Sequence, residues 1–129
     1  MDAFDRYQSP FSWRYGSEPM RQLWGERNKY RTWRLLWVTL ADTQVEFGLV
    51  TPEQAADLRN HMEEIDIETT LAHAAVLHHA VMAEIRTFQQ QAEIGGGIIH
   101  LGETSSDIKA NALVFLCQDA FDFLLQGLD

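Results

Sequence analysis

Apolar residues recur every three to four positions over most of the chain, a period that predicts helices. Between residues 26 and 47, Tyr30, Trp33, Leu36, Trp37, Leu40, Ala41, Gln44 and Phe47 share one face, with Arg27, Arg31 and Arg34 on the others. A helix over that range is roughly 33 Å long at 1.5 Å per residue. Gly48 supplies its stop. Ahead of it, Ser17 followed by Glu18-Pro19 reads as a helix start, with a hydroxyl cap, an acid in the first turn and a proline where no N–H is needed. Gly25 ends or bends that short helix. Thr51-Pro52-Glu53-Gln54 is a capping box opening a helix over 52–64. Asp66 caps the next, which meets no proline or glycine from Ile67 to Ala92 and reads as continuous until Gly95-Gly96-Gly97. Its segment LAHAAVLHHAVMA (71–83) is nearly free of charge, as in a helix enclosed by protein on most sides. Ile98-Ile99-His100-Leu101 reads as a short extended run. Thr104 as N-cap and Asp107 as the reciprocal acid open a last helix over 104–125. Its apolar stripe is wide: Leu113, Val114 and Phe121 fall beside the line of Ile108, Ala112, Phe115, Leu116, Phe123 and Leu124. That width implies burial against more than one neighbour, another chain included. The fold class is all-α, with about five helices in one unit over 18–129. An arm at 1–17 carries Phe4, Tyr7, Phe11, Trp13 and Tyr15, rings suited to docking on something.

Composition narrows the function. A chain of 129 residues suits one domain. Its net charge of −9 would be repelled by a duplex or an anionic membrane, so nucleic acid and membrane are excluded as expected partners. The single cysteine, Cys117, rules out an internal disulfide and fits a reducing compartment. No run of apolar residues is long enough to span a bilayer. MDAFDRYQSP has no apolar signal core, so the expected location is the cytoplasm.

Residue by residue, most candidates have a plain structural reading. His73, His78 and His79 do not place two imidazoles on one face at i, i+4, so no metal is expected. The glycine triplet lacks the Lys-Ser/Thr of a phosphate loop and reads as a turn. Trp24, Trp33 and Trp37 read as packing. Arg27, Lys29, Arg31 and Arg34 pair with Glu26, Asp42 and other carboxylates. Cys117 reads as a buried small hydrophobe, and Glu63-Glu64 with Asp66 and Glu68 as a solvated acidic face. Thr104 and Ser105 can cap the last helix and hold an anion with the same geometry.

Four segments carry a resemblance beyond this. They are Arg14-Tyr15-Gly16-Ser17-Glu18 with Met20; Asn28-Lys29-Tyr30-Arg31-Thr32-Trp33-Arg34-Leu35-Leu36-Trp37; His78-His79-Ala80-Val81-Met82-Ala83; and Gly97-Ile98-Ile99-His100-Leu101-Gly102-Glu103-Thr104-Ser105. In order and spacing, from about Tyr7 to Leu125, the chain resembles the N-terminal domain of adenylosuccinate lyases, in the fumarase/aspartase superfamily. That resemblance implies β-elimination of fumarate from adenylosuccinate in purine nucleotide biosynthesis. It implies no metal or organic cofactor, an acid for the leaving nitrogen, a base for the carbon proton and donors for a developing aci-carboxylate. By resemblance, Arg14 and Tyr15 hold the substrate phosphate, His78 and His79 lie at the substrate, and Thr104 and Ser105 hydrogen-bond the succinyl carboxylate.

The chain also departs from the family pattern. His78-His79-Ala80 stands where Arg-His-Asp is usual. Ala110 stands near a frequent Asp. Glu103 replaces a small or apolar residue, setting a carboxylate beside the expected carboxylate site. Family members are several-fold longer, and the resemblance implies a site completed by other subunits of an oligomer. Two readings follow: a lyase N-terminal domain without turnover of its own, binding a purine succinyl-nucleotide if any ligand, or a non-catalytic helical module that pairs with itself or with a homologous lyase chain.

Overall fold

The computed structural model describes residues 5–128; Phe4 of the arm lies outside the described residues. Six α-helices follow one another: α1 (Glu18–Leu23), α2 (Glu26–Glu46), α3 (Pro52–His61), α4 (Ile67–Leu77), α5 (Ala80–Gln91) and α6 (Ser105–Gln126). A single π-type turn spans Phe11–Tyr15 and a 3-10 turn spans Gly96–Ile98, with no strand among the described residues. The fold class is therefore all-α, as the periodicity predicts.

The caps form where the sequence places them. The Ser17 hydroxyl accepts the Met20 N–H at 3.4 Å, and Asp66 accepts that of Thr69 at 3.0 Å. Thr51 and Gln54 exchange hydrogen bonds of 3.2 and 3.0 Å. Gly48, at φ 69°, turns the chain out of α2 in the left-handed region.

One core holds the helices together. α2 contributes Tyr30, Trp33, Trp37, Val38 and Ala41; α3 adds Ala55 and Leu58, α5 adds Val81, Ile85 and Phe88, and α6 adds Ile108 and Ala112. The α2 stripe is rotated from its expected position. Arg34 and Val38 are buried while Phe47 is exposed. Arg34 turns inward because Glu84 of α5 meets it: their Nε and Oε1 atoms lie 2.6 Å apart with both side chains fully buried. The rest of the basic patch pairs only in part as expected: Arg27 donates to the Ile65 carbonyl at 2.9 Å rather than to a carboxylate, and Asp42 goes to a residue outside the patch. Lys29 meets Glu26, Arg31 meets Glu63 at 2.8 Å, and Asp42 is taken by Arg59.

Three local expectations fail. The continuous helix from Ile67 breaks at His78, which is left-handed (φ 51°), and His79, which is extended. The break folds α4 back on α5, so that Thr70, Glu84 and Thr87 form one buried hydrogen-bonded group. That enclosed polar cluster is the physical gain that offsets a strained histidine. Ile98-Ile99-His100-Leu101 is not extended either; it is the end of the 3-10 turn and a further turn, with His100 at φ 67°. Cys117 is half-buried rather than buried.

The uncharged stretch is also not enclosed by this chain. Leu71 and Val76 of α4 remain 53% and 78% exposed. On α6, Ile108, Ala112 and Leu116 face the core, whereas Leu113, Val114, Phe121 and Leu125 face outward, and so do Phe115 and Leu124 of the expected stripe. The arm rings Tyr7, Phe11 and Tyr15 are exposed too. No helix among the described residues is long and apolar enough to cross a membrane.

Candidate functional site

The break between α4 and α5 creates the feature on which the site is built. His79 is the N-cap of α5. Its Nδ1 accepts the Met82 N–H at 3.2 Å, which puts the ring proton on Nε2. That Nε2 lies 3.2 Å from the Ser105 hydroxyl, at the first residue of α6. Two helix N-termini thus meet through one imidazole and one hydroxyl. Each end carries partial positive charge and N–H groups without intrahelical partners.

Next along both helices, a cleft of about 380 Å³ is lined by Ala80, the residue after His79, by Lys109, and by Trp24, Lys29, Trp33 and Leu113, among others; His79 and Ser105 do not line it. Lys109 lies one helical turn beyond Ser105 and makes no ion pair among the described residues. Lys29 is drawn over the Tyr30 ring, 4.8 Å from its centre, and paired with Glu26. Two ammonium groups, two helix starts and a hydroxyl–imidazole pair suit a carboxylate. Asp107 works in the opposite sense: its carboxylate accepts the Thr104 N–H at 2.7 Å and takes that amide for the cap.

The remaining candidates are placed as follows. Thr104 is exposed at the N-cap of α6, and His78 is exposed at the joint between α4 and α5. Arg14 and Tyr15 lie in the π-type turn, with the Arg14 guanidinium carbon 5.2 Å from the centre of the Tyr15 ring. Tyr15 shares a groove with Met20 and Trp24 of α1 and Leu124 of α6. Leu124 and Ser105 are at opposite ends of α6, separated by about 28 Å along its axis. His79, Thr104 and Ser105 therefore converge at the start of α6, whereas Tyr15, with Arg14 beside it, borders a groove towards the other end of that helix; Trp24 lines both clefts.

Glu103 does not face the cleft as an open carboxylate. Its Oε2 lies 3.3 Å from His100 Nδ1, which also receives the Trp37 indole N–H at 3.2 Å. Sequence reasoning missed this trio, because a left-handed His100 is needed to swing the imidazole onto α2. It also missed Lys109, for which the i, i+4 spacing from Ser105 was an available signal. Among the described residues, no group of three or more His, Cys, Asp and Glu side chains converges as a metal-binding set.

With this geometry in hand, comparison with known proteins gives its class: the relatives are lyases. An adenylosuccinate lyase of Saccharomyces cerevisiae is 39% identical over 99% of this chain and 27% of its own length. One from Schistosoma mansoni is 36% identical over 97% of the chain and 26% of its own length. An N-acetyl-S-(2-succino)cysteine lyase of Dickeya dadantii is 26% identical over 87% of the chain and 25% of its own length. No family model matches the chain. Over nearly all of its residues the chain is thus homologous to adenylosuccinate lyases, and it spans about a quarter of the length of the curated relatives it matches.

Proposed function

We propose that this chain supplies the carboxylate-holding portion of a lyase site of the adenylosuccinate type, and that it turns over no substrate alone. The observation that carries this reading is the His79–Ser105 contact, which joins the starts of α5 and α6 beside Lys109. A succinyl carboxylate seated there would accept hydrogen bonds from the Ser105 hydroxyl and from amides at the helix ends, with Lys109 adding charge. The reaction is β-elimination of fumarate, as the names of the relatives and the resemblance suggest. The acid and base would come from polypeptide outside these residues. The placement of Tyr15 beside Leu124, towards the far end of α6 from Ser105, favours that view: the phosphate end of a nucleotide bound at Ser105 would be met by a partner from another copy or a homologous lyase chain. Purine nucleotide biosynthesis in the cytoplasm is the setting that goes with it.

The outward-facing apolar surface of α6 favours a second reading, a helical module whose role is association. One set of measurements separates the two. The expected result is weak calorimetric binding of adenylosuccinate, reduced by Ser105→Ala, with no fumarate absorbance at 240 nm. Fumarate release by the 129-residue chain would overturn the incomplete-site reading. Absence of binding together with a dilution-resistant oligomer in light scattering would favour the module.

A further inference from the structure

His100 stands in the loop that enters α6, in a left-handed conformation that residues with a Cβ rarely adopt. Its ring meets Trp37 edge-on, at 81° and 6.0 Å between centres. Trp37 is 1% exposed, so its indole N–H needs a partner inside the protein, and His100 Nδ1 provides it. An indole N–H can only donate. A neutral imidazole nitrogen accepts only when it carries no proton, so this hydrogen bond sets the tautomer of His100. The same Nδ1 lies 3.3 Å from Glu103 Oε2. Were Glu103 ionised, two lone-pair acceptors would face each other. Were Nδ1 protonated, it could not accept the indole N–H, which would be left buried without that partner. A hydrogen on the Glu103 carboxyl, donated to Nδ1 beside the indole, satisfies all three groups. Distances of 3.2 and 3.3 Å fit one lone pair shared by two donors.

We propose that Glu103 is a neutral acid at the entrance to α6, kept protonated by Trp37 acting through His100. Trp37 and His100 are then positioning residues, and the carboxyl next to Thr104 and Ser105 contributes no charge. α2 meets this loop with Trp37 and with Gln44, whose amide holds Leu101 O at 2.9 Å, and neither side chain titrates. Burial pushes the Glu103 carboxyl up from its ordinary range; the His100 imidazole opposes that shift, and Asp107 of α6 adds to it. The functional consequence rests on the carboxylate-site reading: as pH rises and Glu103 ionises, a negative charge appears beside Ser105 and anion binding weakens.

The test uses the full chain labelled with nitrogen-15 and carbon-13. The expected spectrum, at about pH 5 where a free glutamate is mostly ionised, shows His100 Nδ1 unprotonated and the Glu103 carboxyl still protonated. Glu103→Gln, whose amide can also donate, should keep the hydrogen bond from the Trp37 indole to Nδ1. Trp37→Phe should return Glu103 towards ordinary carboxylate titration. Should Trp37→Phe fail to fold, the wild-type and Glu103→Gln spectra decide the question. A protonated Nδ1 facing an ionised Glu103 at that pH would overturn the proposal. Adenylosuccinate binding should fall about threefold or more as Glu103 ionises and stay level in Glu103→Gln. A carboxyl that titrates as expected in a chain with no affinity for adenylosuccinate at any pH would overturn the carboxylate site and leave the proton assignment standing.

Discussion

Removing Arg34 should be the most damaging single change in the core. Its side chain is fully buried and does four things at once. Nε meets Glu84 Oε1 at 2.6 Å, Nη1 donates to the carbonyls of His61 and Glu64 at 3.0 and 3.2 Å, and the guanidinium lies 4.3 Å from the Phe88 ring centre. Nη2 has no partner among the described residues, so the arrangement is not an optimised one. Replacing such a pair by well-packed apolar residues is often neutral, because desolvation of two charges offsets their attraction. Breaking it from one side is different. Arg34→Ala would leave the Glu84 carboxylate buried with Thr70 as its remaining donor, at 2.6 Å. The expected loss is about 3–5 kcal/mol, a large share of the roughly 5–15 kcal/mol that holds a domain together. For a chain of this size that corresponds to a fall in Tm of about 10–20 °C. Circular dichroism at 222 nm during heating measures it, with guanidinium titration as a check. The paired replacement Arg34→Met with Glu84→Leu should recover more than half of the loss. A fall under about 3 °C for Arg34→Ala, or a double variant no better than the single one, would refute the claim that an uncompensated carboxylate sets the cost.

Two further changes test the turns and caps. A Cβ on Gly95 would stand 2.4 Å from Gln54 O and 2.9 Å from Leu58 Cγ. Gly95→Ala should therefore destabilise by about 1–3 kcal/mol in a chemical denaturation curve, while Gly97→Ala, which meets open space, serves as the near-neutral control. The Asp66 carboxyl is held below its ordinary range, first by the Thr69 N–H and then by the Thr69 hydroxyl. A depressed carboxyl stabilises the fold above its unfolded-state value and loses that contribution as pH falls through the folded one. The stability difference between wild type and Asp66→Asn should accordingly shrink on acidification below about pH 4; a difference that grows there would contradict the cap.

How much of this was legible in the sequence depended on how local each cause is. Ser17, Thr51, Asp66 and Thr104 each stand at a helix start because a short polar side chain folds back on an amide two or three residues away, a distance the sequence itself specifies. The α4–α5 break had no such cue. His78 is neither glycine nor proline, and its left-handed conformation is held by Thr70, Glu84 and Thr87, which become neighbours only after the chain doubles back. The same holds for Arg34, which a helical wheel assigns to the solvent side and which Glu84, fifty residues later, draws into the core. The candidate site has the same division. Ser105 and His79 were singled out through segment resemblance, but their contact exists only because that unforeseen break presents the imidazole as a cap. Glu103, read from sequence as a repulsive carboxylate, is turned towards an imidazole by a backbone angle that no pattern of side chains encodes. The departures from helix continuity and from expected charge therefore fall together, at the starts of α5 and α6. Strain concentrated beside a candidate binding contact, rather than spread over the fold, is what a retained site would show and what a purely structural packing of six helices has no reason to keep.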